Sequence, residues 1–101
     1  MVPIVAEKRE EVAALCRHYG VRQLDLFGSA ARGHDFTDQS DIDLLIEYEP
    51  DRPPSWGPLF ELRDALAALF GRDVDFVMAG AVRNPYLRAS IERSREPLYG
   101  A

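Results

Sequence analysis

Val12, Leu15, Cys16 and Tyr19 recur at helical spacing and Gly20 follows them. This predicts a helix over Val5–Tyr19 that stops at the glycine. The period then changes. Val21, Leu24, Leu26 and Phe27 predict a strand over Val21–Phe27 with a Gly28-Ser29 turn directly after it. Ser29–Arg32 reads as a short helical turn, and His34–Ser40 as a polar connection rich in turn formers. Asp41–Tyr48 is the next strand. The stretch EPDRPPSWGP, Glu49–Pro58, holds four prolines and a glycine and reads as a loop. Pro58 suits the first turn of a second long helix, which carries a stripe of Leu59, Leu62, Leu66, Leu69 and Phe70 and ends at Gly71. Asp73–Met78 is a third strand. Asn84 then caps a helix with Pro85 in its first position; Tyr86, Leu87 and Ile91 give it an apolar face, and Pro97 stops it. Leu98 and Tyr99 add a short final strand. Helices between strands predict a sheet covered by helices on at least one face.

At 101 residues and 47% hydrophobic composition, the chain is sized for one domain, 1–101, with a core of its own. The single cysteine, Cys16, excludes an internal disulfide and sits in a helical pattern as a small core residue. Two histidines and one cysteine leave little for a structural zinc site. No apolar stretch approaches the ~20 residues of a membrane span, and the start carries no signal-peptide pattern; the expected location is cytoplasmic, without membrane attachment. A net charge of −5, with arginines scattered among acids, argues against a partner gripped by its nucleic-acid backbone. It leaves open a small phosphate ligand, because a divalent cation reverses the local field.

The carboxylates in the strands carry the chemistry. Residues two apart on a strand share a face, so Asp41 and Asp43 point the same way with α-carbons about 6–7 Å apart. Ile42, Leu44 and Ile46 point to the core. Asp73 and Asp75 repeat the scheme against Val74 and Phe76. If the two strands are neighbours, Asp75 joins the first pair. Three carboxylates so close repel one another, and a divalent cation removes the conflict. Magnesium is hard, prefers oxygen and binds through few carboxylates plus substrate phosphates. Two such ions about 3.5–4 Å apart hold the attacking and leaving oxygens of an in-line displacement. A solvated strand face is the plain alternative for any lone D-x-D. Asp73, at the start of its strand, is left outside the candidate site, and Asp25 reads as solvated.

The GSAARG stretch makes the constellation more specific. Gly28 lets a backbone approach a ligand closely, and the Ser29 hydroxyl and neighbouring N–H groups suit phosphate oxygens. Arg32 adds a cation for the same ligand, or else a salt bridge to a local aspartate. With Ser40, beside Asp41, the candidate phosphate-binding set is Gly28, Ser29, Arg32 and Ser40.

GSAARG, followed by SDIDLLIEY and later DVDFV, resembles the minimal nucleotidyltransferases (MNT) of the DNA polymerase β superfamily, over nearly the whole chain. Eleven residues, Ala30 to Ser40, separate Gly-Ser from D-x-D, a loop slightly longer than the usual family spacing. The resemblance implies an α+β fold with a mixed β-sheet and flanking helices. It implies that Gly28 and Ser29 hold a nucleoside triphosphate, that Asp41 and Asp43 bind catalytic Mg2+, and that Asp75 completes the triad as metal ligand and helps deprotonate the attacking hydroxyl. The chemistry would be transfer of a nucleoside monophosphate, AMP from ATP, to a hydroxyl, with release of pyrophosphate. Family members of this size are often antitoxins that pair with a HEPN-domain RNase toxin and add AMP to a tyrosine of it. A domain of this length is expected to lack an acceptor-binding module of its own, and a homo- or hetero-oligomer with the acceptor on a partner is expected.

Two other readings compete. A non-catalytic antitoxin would neutralise its partner by stoichiometric contact, using a surface around Trp56. Transfer to a small molecule, as in aminoglycoside-modifying relatives, usually needs a further domain. The remaining residues read plainly: His34 and Glu47 as solvated, Trp56 as a packing cap, Tyr86 and Tyr99 as packing residues.

Overall fold

The computed structural model describes residues 1–51 and 55–100; residues 52–54 of the proline-rich loop and residue 101 lie outside the described residues. Along the chain run α1 (Pro3–Ala6), α2 (Arg9–Tyr19), β1 (Val21–Phe27), α3 (Ser29–Arg32), β2 (Ile42–Tyr48), α4 (Trp56–Phe70), β3 (Val74–Met78), α5 (Pro85–Ser94) and β4 (Glu96–Tyr99). The helix expected over Val5–Tyr19 is two helices, separated at Lys8, whose φ −109° and ψ 15° leave the helical region. Hydrophobic spacing does not sense the break, because Val5 and Val12 are fully buried on either side of it. Helix α2 ends at Gly20 in the left-handed conformation, φ 74°, with the Gly20 N–H donating to the Cys16 carbonyl. Cys16 is buried, and burial pushes its thiol up to about 12, which leaves it inert at neutral pH.

Helix α4 starts at Trp56, so Pro58 occupies its first turn, where no intrahelical N–H bond is lost. Helix α5 begins as its sequence predicts: the Asn84 side chain accepts from the N–H groups of Tyr86 and Leu87, with Pro85 in the first position. Pro97 ends that helix and lies in β4, an edge strand, where a missing N–H is tolerated.

The four strands form one mixed sheet in the order β3-β2-β1-β4. β1 pairs antiparallel with both β2 and β4, and β2 pairs parallel with β3 through the α4 crossover. Alternation divides the sheet into two faces. Leu24, Leu26, Ile42, Leu44, Ile46 and Val74 face one way and pack with Val12 and Cys16 of α2 and Leu62 and Leu66 of α4. Phe27 and Leu45 face the other way and pack with Ile91 of α5. Asp25, Asp43 and Asp75 all belong to this second face by strand parity, and α5 alone among the helices has its buried residue there. The apolar face expected for α5 narrows accordingly: Ile91 is buried, but Tyr86 is 85% exposed and Leu87 is exposed, so Tyr86 is not the packing residue its spacing predicts. No helix among the described residues is long and apolar enough to cross a membrane.

Asp25 departs from expectation. It is 1% exposed rather than solvated. Its position in the middle of β1, between β2 and β4, removes it from water. Arg95, just past the end of α5, donates from Nε to Asp25 Oδ2 at 2.8 Å, and Gln23 Nε2 donates to both carboxylate oxygens at 3.1 Å. Arg95 Nη1 continues to Glu92 Oε1 at 2.7 Å. A charge buried this deeply is tolerated only while its partners are present. Arg95→Ala is therefore expected to lower stability by about 3 kcal/mol in urea unfolding at neutral pH, and Arg95→Ala with Asp25→Asn to recover much of that loss.

Candidate active site

Three consecutive strands bring the predicted residues to one line across the sheet. Phe27 of β1 pairs with Asp43 of β2, and Asp43 pairs with Asp75 of β3. Gly28 follows Phe27 directly, so the order across neighbouring strands is Gly28, Asp43, Asp75, with steps of about 4.8 Å. Asp41 sits just before β2 and is exposed; the Ile42 N–H extends the ladder to the Asp73 carbonyl at 2.9 Å.

Gly28 is required twice over. Its φ of +72° lies in the left-handed region that side chains rarely adopt, and a Cβ there would stand 2.7 Å from Asp43 Oδ2. The turn is held from behind by α5: the Gly28 N–H donates to Ser94 Oγ at 3.0 Å, and Ser94 Oγ donates to the Ser90 carbonyl at 3.1 Å. The Gly28 amide is thus used in holding the turn. The short α3 that follows is anchored by buried Ala30 and Ala31, and the Ala31 and Arg32 N–H groups close back on the Gly28 carbonyl. This sets Ser29 at the start of that turn, half-buried.

Arg32 and Ser40 have local partners. Arg32 forms a forked pair with Asp35, Nη2 to Oδ2 at 2.6 Å and Nε to Oδ2 at 3.0 Å, one of the two arrangements its sequence allows. That hydrogen bond holds the exposed Asp35 carboxyl below its ordinary range. Arg32 also feels the charge of Asp43. The Ser40 hydroxyl accepts from the Thr37 N–H at 3.0 Å, and Arg72 donates to the carbonyls of Thr37 and Ser40. Ser40 therefore closes the loop that delivers Asp41 to the sheet.

The carboxylates interact electrostatically. Burial pushes the Asp43 carboxyl up, and the charges of Asp75 and Asp41 push it further, with Arg32 opposing. Asp75 is also raised, first by desolvation, then by the charge of Asp41 and a hydrogen bond with it, then by Asp73; Arg63 opposes. Asp73, set aside at the sequence level, thus acts on the site through its charge. Among the described residues no group of three or more His, Cys, Asp or Glu closes into a cage that could hold a metal ion. The donors are nonetheless all oxygen and of one sign, and two of them stand side by side on paired strands. That suits magnesium, which takes one or two carboxylates and completes its shell with water and phosphate.

Two open hollows flank this line. The larger, about 540 Å3, lies at the Asp41 end and is lined by Asp38, Ser40, Asp41, Arg72 and Asp73; its one cation, Arg72, is already engaged with Thr37, Ser40 and Asp38. The smaller, about 240 Å3, lies between α4 and β3 and includes Asp75. Sequence reasoning missed Ser94 and Arg95, because nothing in a helix-end Ser-Arg marks it as a brace for a distant glycine and aspartate. It also missed Arg63, which reads as an exposed position on the outer face of α4.

Comparison with known proteins gives this geometry a family. The nucleotidyltransferase domain family matches residues 8–98. The chain belongs to that family. A Methanocaldococcus jannaschii chain provisionally named protein adenylyltransferase MJ0128 is 42% identical over 84 residues, covering 83% of each chain. A Thermococcus cleftensis chain named protein adenylyltransferase MntA is 36% identical over 81 residues, covering 80% of this chain and 75% of that one. A solved structure provisionally described as a minimal nucleotidyltransferase superposes with a TM-score of 0.74 at 34% identity, covering 92% of this chain and 91% of the other. A crystal structure described as a toxin–antitoxin with AMP-PNP gives a TM-score of 0.70 at 23% identity, covering 92% of this chain and 73% of that one, a likeness of fold. The nucleotidyltransferase fold of these structures is the mixed four-stranded sheet seen here.

In this nucleotidyltransferase domain the raised carboxyls have a cost in stability with a definite sign. A carboxyl whose folded pKa lies above its unfolded value holds its proton more tightly when folded. No penalty exists below the unfolded pKa; it grows as pH rises through the folded pKa and is complete above it. Asp43→Asn is therefore expected to raise the Tm of the metal-free protein at neutral pH by roughly a few degrees, and the gain to fade as pH falls into the carboxylate range. Thermal unfolding followed by circular dichroism at both pH values checks this.

Proposed function

We propose that this nucleotidyltransferase moves AMP from ATP onto a tyrosine hydroxyl of a HEPN-type partner protein and so acts as the antitoxin of a pair, in the cytoplasm where ATP is at hand. The observation that carries the reading is the line of Gly28, Asp43 and Asp75 across β1, β2 and β3. The relative named protein adenylyltransferase MntA supports the adenylyl group and a protein acceptor, and the fold shared with a structure described as an AMPylated HEPN toxin in complex with an MNT antitoxin is consistent with such a partner.

The chain's residues divide the work. Gly28 and Ser29 receive the β- and γ-phosphates, with Arg32 turning from Asp35 to the phosphates, and Ser40 holding the loop that carries Asp41. Asp41, Asp43 and Asp75 would hold Mg2+, two ions in this chemistry, which when bound neutralise the phosphates and polarise the reacting phosphorus. Asp75 accepts the proton of the acceptor hydroxyl. The new bond joins that oxygen to the α-phosphorus, the bond from the α-phosphorus to the bridging oxygen breaks, and pyrophosphate leaves with the electron pair.

Label transfer tests this. Incubated with α-labelled ATP, magnesium and the protein encoded beside it, the wild-type chain is expected to label that protein, and Asp41→Asn with Asp43→Asn to reduce transfer at least about 100-fold. Absence of transfer from any NTP by a folded sample overturns the proposal. Full neutralisation of the partner by the double variant at equal stoichiometry would assign the antitoxin effect to binding alone.

A further inference from the structure

We propose that the hollow between α4 and the open edge of β3 is the acceptor pocket, and that it takes the phenol ring of a tyrosine presented by the partner. The pocket, about 240 Å3, is lined by Trp56, Phe60, Arg63, Asp75 and Phe76 among others. Its aromatic wall stands clear of the core among the described residues. Trp56 is 73% exposed and Phe60 45% exposed, yet their rings stack on each other with centroids 5.9 Å apart, and the Arg63 guanidinium lies 4.9 Å from the Phe60 ring centre. Trp56 opens α4 as an exposed shelf, not the packing cap its sequence position suggests.

Three observations place the acceptor here, and all rest on the transferase reading above. First, an in-line displacement puts the attacking oxygen and the leaving pyrophosphate on opposite sides of the phosphorus. The turn at Gly28 and Ser29 lies on the β1 side of Asp43, so the attacking group belongs on the β3 side, where this pocket opens. Second, β3 is an edge strand, so its outer rim is open, and a group seated on the α4 shelf can reach past that rim to the face that carries Asp75. Third, the pocket's chemistry is complementary to a phenol and not to an aliphatic hydroxyl. Two rings and Phe76 offer flat apolar surface for an aromatic body. Arg63 lines the same pocket as Asp75 and supplies a cation there for the oxygen on which negative charge develops. The larger hollow at Asp41 lacks this: it has no aromatic wall.

Trp56 is the single tryptophan of the chain, so its fluorescence reports on the pocket directly. N-acetyl-tyrosine amide, N-acetyl-serine amide and ATP serve as probes, with excitation beyond the tyrosine band. The tyrosine amide is expected to give a saturable change in Trp56 emission, weakened by Phe60→Ala, and the serine amide and ATP none. A change with ATP alone would make the shelf a base-stacking site and overturn the proposal; so would no change with any probe. In label transfer to the partner, Trp56→Ala and Phe60→Ala are each expected to raise KM for the partner roughly tenfold and to leave KM for ATP unchanged. Both side chains are largely outside the core, so the variants fold. Unaltered kinetics would overturn the pocket while the transferase reading stands. If the wild-type chain transfers nothing, the transferase reading fails, and the fluorescence arm still decides the pocket.

Discussion

The structure depends on holding like charges together. Asp43 and Asp75 stand opposite each other on a parallel strand pair; burial and then the charges of Asp75 and Asp41 raise the Asp43 carboxyl, and burial and then Asp41 raise that of Asp75. The same strands supply the force that keeps them there. Ile42, Leu44 and Ile46 alternate with the acids along β2 and are fully buried on the opposite face. Each such side chain contributes roughly 1.5–3 kcal/mol on burial, so the aliphatic face offsets repulsion on the acidic one. A one-residue slip of β2 would exchange the faces and lose both.

Helix α5 is the second constraint. It contributes one buried apolar residue to its face of the sheet, Ile91, and otherwise works through polar ties. Arg95 neutralises Asp25 inside the sheet, and Ser94 holds the Gly28 amide. Both ties leave from the last turn of one short helix. The turn that faces the Asp43 carboxylate is therefore fixed by the same element that satisfies the buried charge in β1, and its narrow coverage leaves Asp75 and Asp41 open to solvent and to ligands.

Much of this was legible along the chain. Strand period 2 placed Asp43 and Asp75 opposite the aliphatic residues, Asn84-Pro85 fixed the start of α5, and the Gly-Ser turn lay where a strand met a helix. These are local signals, set by side-chain alternation and capping. What escaped was non-local. Asp25 looks like Asp41 or Asp75 in the sequence, because only the position of β1 between β2 and β4 buries it. The Ser94 brace spans 66 residues. Tyr86 and Trp56 have the spacing of packing residues, yet α5 is seated through Ile91 and Trp56 lies at the rim of α4, so both remain in water. The break at Lys8 was invisible for the opposite reason, since both flanking helices bury the same apolar phase.

Membership of the nucleotidyltransferase domain family gives the acidic line a chemical context, and on the proposed reading the aromatic shelf beside Asp75 gives it a direction, from phosphate turn to acceptor. Burial and neighbouring carboxylates hold the Asp43 and Asp75 carboxyls above their ordinary range, and the proposed function has a divalent cation relieve that. A carbon-13 NMR titration of the aspartate carboxyls, with and without magnesium and a nonhydrolysable ATP analogue, tests it most directly. Asp43 and Asp75 are expected to titrate above the ordinary carboxylate range in the free protein and to drop below it in the complex. Ordinary titration of both in the free protein, or no response to magnesium and nucleotide, would contradict it.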